Sequence, residues 1–212
     1  MGMRAGILAA LLALVLGSGA VAQSPSPEAS PWYAPDDLTT ALPARVGDYE
    51  LQIGSVDLEL MPDDYRRFWQ ELLAVLGVAP EAMRQAYGIG HQPFDDAGGM
   101  PFDIKVVRIV GMPATSWVDD VIAQHLEWTG PEERTRFDER WQVIAGRHIW
   151  TSVITPEAFA AMVADSGDRY SDASDEVGFY LYPKGEVMFA LSIPFPYPQD
   201  APTVAEILAG LP

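Results

Sequence analysis

The chain has 212 residues, with 30 Asp or Glu against 13 Lys or Arg, a formal charge of −17 at pH 7. A surface of that sign repels nucleic acid and anionic lipid, so neither is an expected partner. Cysteine is absent, which excludes a disulfide framework, thiolate catalysis, thiolate metal ligation and lipid attachment through a cysteine.

Residues 1–22 read as a secretory signal. Arg4 makes the start positive, Ile7 to Leu16 is an unbroken apolar run, and Ala20-Val21-Ala22 supplies the small-x-small pattern of a cleavage site. The run is shorter than the ~20 residues that cross a bilayer, which favours cleavage over an uncleaved anchor. The expected protein is secreted or otherwise extracytoplasmic, with no stable membrane insertion after the cut. The Arg-, Ala- and Gly-rich composition suggests a bacterial source with a GC-rich genome. Residues 23–44 read as a Pro- and Ser-rich linker, because Ser24-Pro25-Ser26-Pro27, Pro31 and Pro35 favour extended, solvated backbone. Trp32 and Tyr33 are unusual in such a segment.

A single domain is expected over residues 45–212. Tyr49 to Ile53 alternates as a half-buried strand does. Pro62, Asp63 and Asp64 suit the start of a helix. Tyr65, Phe68, Trp69, Leu72, Leu73 and Leu76 then form one apolar stripe, and Gly77 is a natural stop. The spacing predicts a second short helix over Pro80–Tyr87, ended by Gly88. Residues 91–101 read as a loop and 102–110 as a strand. Ser116 with Asp119 resembles a capping box for a helix to about Trp128, with Val118, Val121, Ile122 and Leu126 facing inward. Residues 130–139 read as a charged connection.

Two hairpins follow. One joins strands 141–144 and 147–154 through Ala145-Gly146, and the other joins 177–182 and 187–193 through residues 183–186. Between them Thr155-Pro156-Glu157 opens a helix burying Phe159, Met162 and Val163. Thr203 and Glu206 form a capping box before Val204, Ile207, Leu208 and Leu211. Sequential hairpins point to an α+β fold, a mostly antiparallel sheet with helices packed on one face. Both halves run strand–helix–strand–helix, the order a diverged duplication of one unit would leave.

Motifs for chemistry are absent. No G-x-S-x-G, S-x-x-K or HExxH occurs, and Gly88-x-Gly90 lacks the third glycine of a phosphate loop and reads as a helix stop. No catalytic, cofactor-binding or metal residue is assigned, and no cofactor is expected. His125 lies at the edge of an apolar helical stripe and reads as structural. His148 reads as a cross-strand residue, and His91 shares its loop with Asp95 and Asp96. Asp165, Asp168, Asp172, Asp175 and Glu176 crowd the 165–176 stretch, hard oxygen ligands without the order of a calcium loop. Trp141, Trp150, Phe179, Tyr180 and Tyr182 place aromatics on the sheet. Residues 193–198 present Phe195 and Tyr197 between prolines.

Three stretches carry a resemblance: Leu42-Pro43-Ala44-Arg45-Val46-Gly47, the run from Tyr180 to Phe189, and Ile207-Leu208-Ala209-Gly210-Leu211-Pro212. In these the chain resembles uncharacterised secreted or lipid-anchored bacterial domains. The resemblance implies no activity and no site residues. The leading expectation is an exported, non-catalytic binding or interaction domain whose partner is a protein or a small ligand. The alternatives are a secreted hydrolase using carboxylates and a divalent-cation-binding protein.

Overall fold

The structure, a computed structural model, describes residues 34–91, 102–166, 177–193 and 201–212. It holds one sheet of eight strands: β1 (Arg45–Val46), β2 (Tyr49–Ser55), β3 (Met83–His91), β4 (Asp103–Ile109), β5 (Phe137–Ile144), β6 (Arg147–Ile154), β7 (Gly178–Lys184) and β8 (Val187–Ile193). Their spatial order is β1-β2-β3-β4-β8-β7-β6-β5, with every neighbouring pair antiparallel. Among the described residues five helices complete the fold: α1 (Asp63–Leu76), α2 (Val118–Thr129), α3 (Pro131–Arg134), α4 (Pro156–Ser166) and α5 (Val204–Ala209). The α+β class and the antiparallel sheet agree with the sequence reading.

Strand alternation divides the core in two. Along β8, Val187, Phe189, Leu191 and Ile193 enter one apolar cluster, and Met188 and Ala190 enter the other. Both faces of β8 are therefore covered, which is why its sequence is almost continuously apolar. The long helices α1 and α2 share one face, over Met83, Val107, Ile109, Trp150 and Leu181. The opposite face is closed by Val204, Ile207 and Leu208 of α5, by Ala158 and Phe159 of α4, and by a 3-10 turn at Leu38–Ala41. The helices, expected on one face, are thus split between two, because a sheet apolar on both sides needs a cover on each. The repeated order survives as hairpin, helix, hairpin, helix in each half. The placement does not follow a twofold axis, since a rotation relating the antiparallel β4 and β8 would leave both helix pairs on one face.

Four local expectations change. The helix over 80–87 is instead a 3-10 turn at Pro80–Ala82 running into β3. Gly88 and Gly90 are strand residues that let neighbouring side chains lie flat on bare backbone. A Cβ on Gly88 would sit 2.8 Å from Leu51 Cδ2. The capping box at Ser116 does not form. Trp117 precedes α2 without a side-chain cap, and Ser116 Oγ donates to Pro113 O at 2.7 Å. The linker ends earlier than residue 44, because Leu38, Ala41 and Leu42 are buried in the core. The charged connection at 130–139 contains α3 and the first residues of β5.

Other local signals match. Gly77 caps α1 at φ 67°, and Ala145 and Gly146 turn the β5–β6 hairpin at φ 50° and 75°. Thr203 and Glu206 form the reciprocal capping box of α5. Among the described residues no helix is long and apolar enough to cross a membrane.

Candidate functional site

The α1–α2 face of the sheet carries a cleft of about 420 Å³. That lies within the range of ~300–1,000 Å³ typical of small-molecule sites. Helix α1 brings Tyr65, Phe68 and Trp69, α2 brings His125 and Trp128, and the floor is Lys105, Phe179, Met188 and Ala190. The i, i+3, i+4 spacing of α1 puts its three aromatics on one side. They pack edge to face, with Tyr65–Trp69 centroids 6.2 Å apart and Phe68–Trp69 5.5 Å apart. Trp128 meets Phe68 across the helices at 5.6 Å. The helix pair is fastened by Gln124 Nε2, donating to Phe68 O at 2.8 Å.

Polar groups in this wall are few. Lys105 rises from the centre of the sheet, between Tyr87 and Ala190 on the flanking strands. Its Nζ lies 3.2 Å from Asp103 Oδ1 and 5.1 Å from the Tyr65 ring centroid. Burial works against the ammonium, but Tyr65 and Asp103 outweigh it and hold its pKa above the ordinary lysine value. Trp69 is 3% exposed and its Nε1 has no hydrogen-bond partner. Asp64, at the mouth, is ion-paired with Arg67 at 2.9 Å.

His125 stacks on Phe179 at 5.1 Å and meets Trp150 edge-on at 5.6 Å. Burial pushes its pKa below the usual imidazole value; Glu139 opposes this and Arg134 adds to it. The folded protein therefore keeps His125 neutral at a pH where the unfolded chain already takes up a proton. The stability held by neutral His125 is complete above the unfolded pKa of ~6.5 and falls as pH drops towards the folded one. Denaturant titrations at pH 7.5 and pH 5.5 should show a larger loss for wild type than for His125→Gln. Equal losses would contradict this assignment.

The remaining sequence candidates scatter. His148 is exposed and stacks on Trp141 at 4.7 Å, as a cross-strand residue does. His91 ends β3 opposite Glu50. Asp95 and Asp96, the acidic run from Asp168 to Glu176 and the proline-flanked aromatics Phe195 and Tyr197 lie outside the described residues, as do Trp32 and Tyr33. The sheet aromatics do not make one platform. Trp141, Trp150 and Phe179 belong to the α1–α2 face, and Tyr180 and Tyr182 to the other.

A second, larger cleft of about 660 Å³ opens beside the 3-10 turns, with Asp36, Asp57, Glu59 and Glu81 on its walls. Among the described residues no three His, Cys, Asp or Glu side chains are grouped to hold a metal ion. Neither a family model, nor a curated protein, nor a solved structure matches the chain.

Proposed function

We propose that this protein is an exported, non-catalytic binding domain whose α1–α2 cleft receives a small, mainly apolar ligand. The observation that carries the reading is the cleft itself, walled by Tyr65, Phe68, Trp69 and Trp128 over a floor that is apolar apart from Lys105. Aromatic walls give a ligand large apolar contact at little conformational cost. The signal-like residues 1–22 support export. Hydrolysis by a carboxylate pair finds less support in this cleft, where Asp64 is the lining acid and already serves Arg67.

Calorimetric titration with 1-decanol tests the proposal. Wild type should bind it with a negative heat-capacity change, the mark of apolar burial. Ala190→Leu should weaken binding at least tenfold by filling the floor, where Ala190 is 6% exposed. Absence of binding by wild type, or undiminished binding by the filled variant, would overturn the proposal.

A further inference from the structure

We infer that the cleft is built for an apolar ligand ending in a carboxylate, with Lys105 and the indole N–H of Trp69 as its head-group donors. The inference rests on the proposed binding role of the cleft and names the chemical class it takes. Two independent features converge on it. Lys105 is a cation in an aromatic and aliphatic wall, and Asp103 on the same strand occupies one side of it. An ammonium has three protons to donate, and a single carboxylate neighbour leaves capacity for a second acceptor. Trp69 is the other feature. A buried N–H without an acceptor is destabilising, and native structures tolerate few such groups. Here the orphan donor belongs to a residue that lines the cleft.

Tyr65 links the two. Its ring lies 5.1 Å from Lys105 Nζ and 6.2 Å, centroid to centroid, from Trp69. Tyr65 therefore adjoins both donor-bearing side chains, and the floor residue Ala190 pairs directly with Lys105. A ligand cation would meet the ammonium, so the aromatic wall does not act as a cage for quaternary amines. A neutral hydrocarbon would leave the Trp69 donor unanswered. A carboxylate answers the indole and adds a charge-assisted bond to the lysine. The distal Phe68, Trp128 and Phe179 surfaces would hold the tail.

Decanoate and 1-decanol, titrated separately at pH 7.5, separate this inference from the reading beneath it. Decanoate should bind wild type about 10- to 100-fold more tightly, the worth of charge-assisted hydrogen bonds at a partly buried site. Lys105→Met should abolish that preference by weakening decanoate at least tenfold more than decanol, since the charge is lost and the aliphatic stem is kept. Trp69→Phe should reduce the decanoate preference while leaving the unliganded protein folded, because it removes a donor that has no partner. Thermal unfolding of each variant checks that fold. Equal binding of both probes, or a preference that survives Lys105→Met, would overturn the carboxylate inference and leave the apolar cleft standing. Binding of neither probe would remove both.

Discussion

Trp69→Ala is expected to lower the free energy of unfolding by about 3–5 kcal/mol, the cost of truncating a large aromatic in a packed core. The side chain is nearly buried and touches Tyr65 and Phe68 edge to face, so its loss removes two aromatic pairs along with the apolar area. Its neighbours cannot fold into the space. Leu72 and Leu73 are fixed by the backbone of α1, and the floor beneath is a sheet strand. Against a typical domain stability of ~5–15 kcal/mol, the loss is a large share of the total. Urea titration should show a lower midpoint at unchanged slope, the signature of altered stability in an intact two-state transition. Trp69→Phe separates volume from the indole N–H and should cost far less. A loss below ~1 kcal/mol for the alanine variant would place this stripe at the surface.

What the sequence made legible was whatever short-range physics decides. The stripe of α1 recurs at helical spacing, and the two late hairpins carry turn residues whose positive φ is required by the turn itself. The capping box at Thr203 and Glu206 is likewise local. Strand β3 departs from its local propensity for the same reason. Glu81, Ala82, Met83, Arg84, Gln85 and Ala86 are good helix formers, and Pro80 suits a first helical position. Position between β2 and β4 overrides that propensity, and nothing within the segment announces its two neighbours. Ser116 shows the converse error. The spacing of a capping box was present, but Pro113 and the 3-10 turn took its hydroxyl.

The cleft was illegible for a stronger reason. Its residues come from separate stretches of chain around Tyr65, Lys105, His125 and Ala190, joined by the β4–β8 pairing and by the α1–α2 contact. One signal was available. Lys105 is one of two lysines in the chain and stands inside a Val- and Ile-rich strand, where a charge without a purpose is disfavoured. A charge in that setting is the local sign that this face of the sheet holds a polar function. Histidine titrates in the range that suits catalysis, yet His125 lines the cleft as a wall residue whose pKa burial lowers.

On the opposite face of the sheet, Phe102 should be comparably costly to remove, about 3–5 kcal/mol for Phe102→Ala. It is fully buried, immediately before β4, and meets Tyr49 edge-on at 5.9 Å. The distinctive test lies in its partner. Gly90 bonds directly across, its N–H donating to Phe102 O at 3.0 Å, and the phenyl ring lies over its bare backbone. A Cβ at Gly90 would fall 2.6 Å from Phe102 Cε1 and 2.7 Å from Cζ. Gly90→Ala should therefore destabilise by ~1–3 kcal/mol through overpacking, despite alanine's lower conformational cost in a strand. In a Phe102→Leu background the ring edge is gone, and the same change should cost less, with a coupling of ~0.5–3 kcal/mol in the double-mutant cycle. Trp69 lies in the other cluster and shares no partner with this pair, so its effect should add to theirs. Additivity between Gly90 and Phe102 would mean that the ring does not rest on the glycine, and coupling of either to Trp69 would mean that the two faces of the sheet do not pack independently.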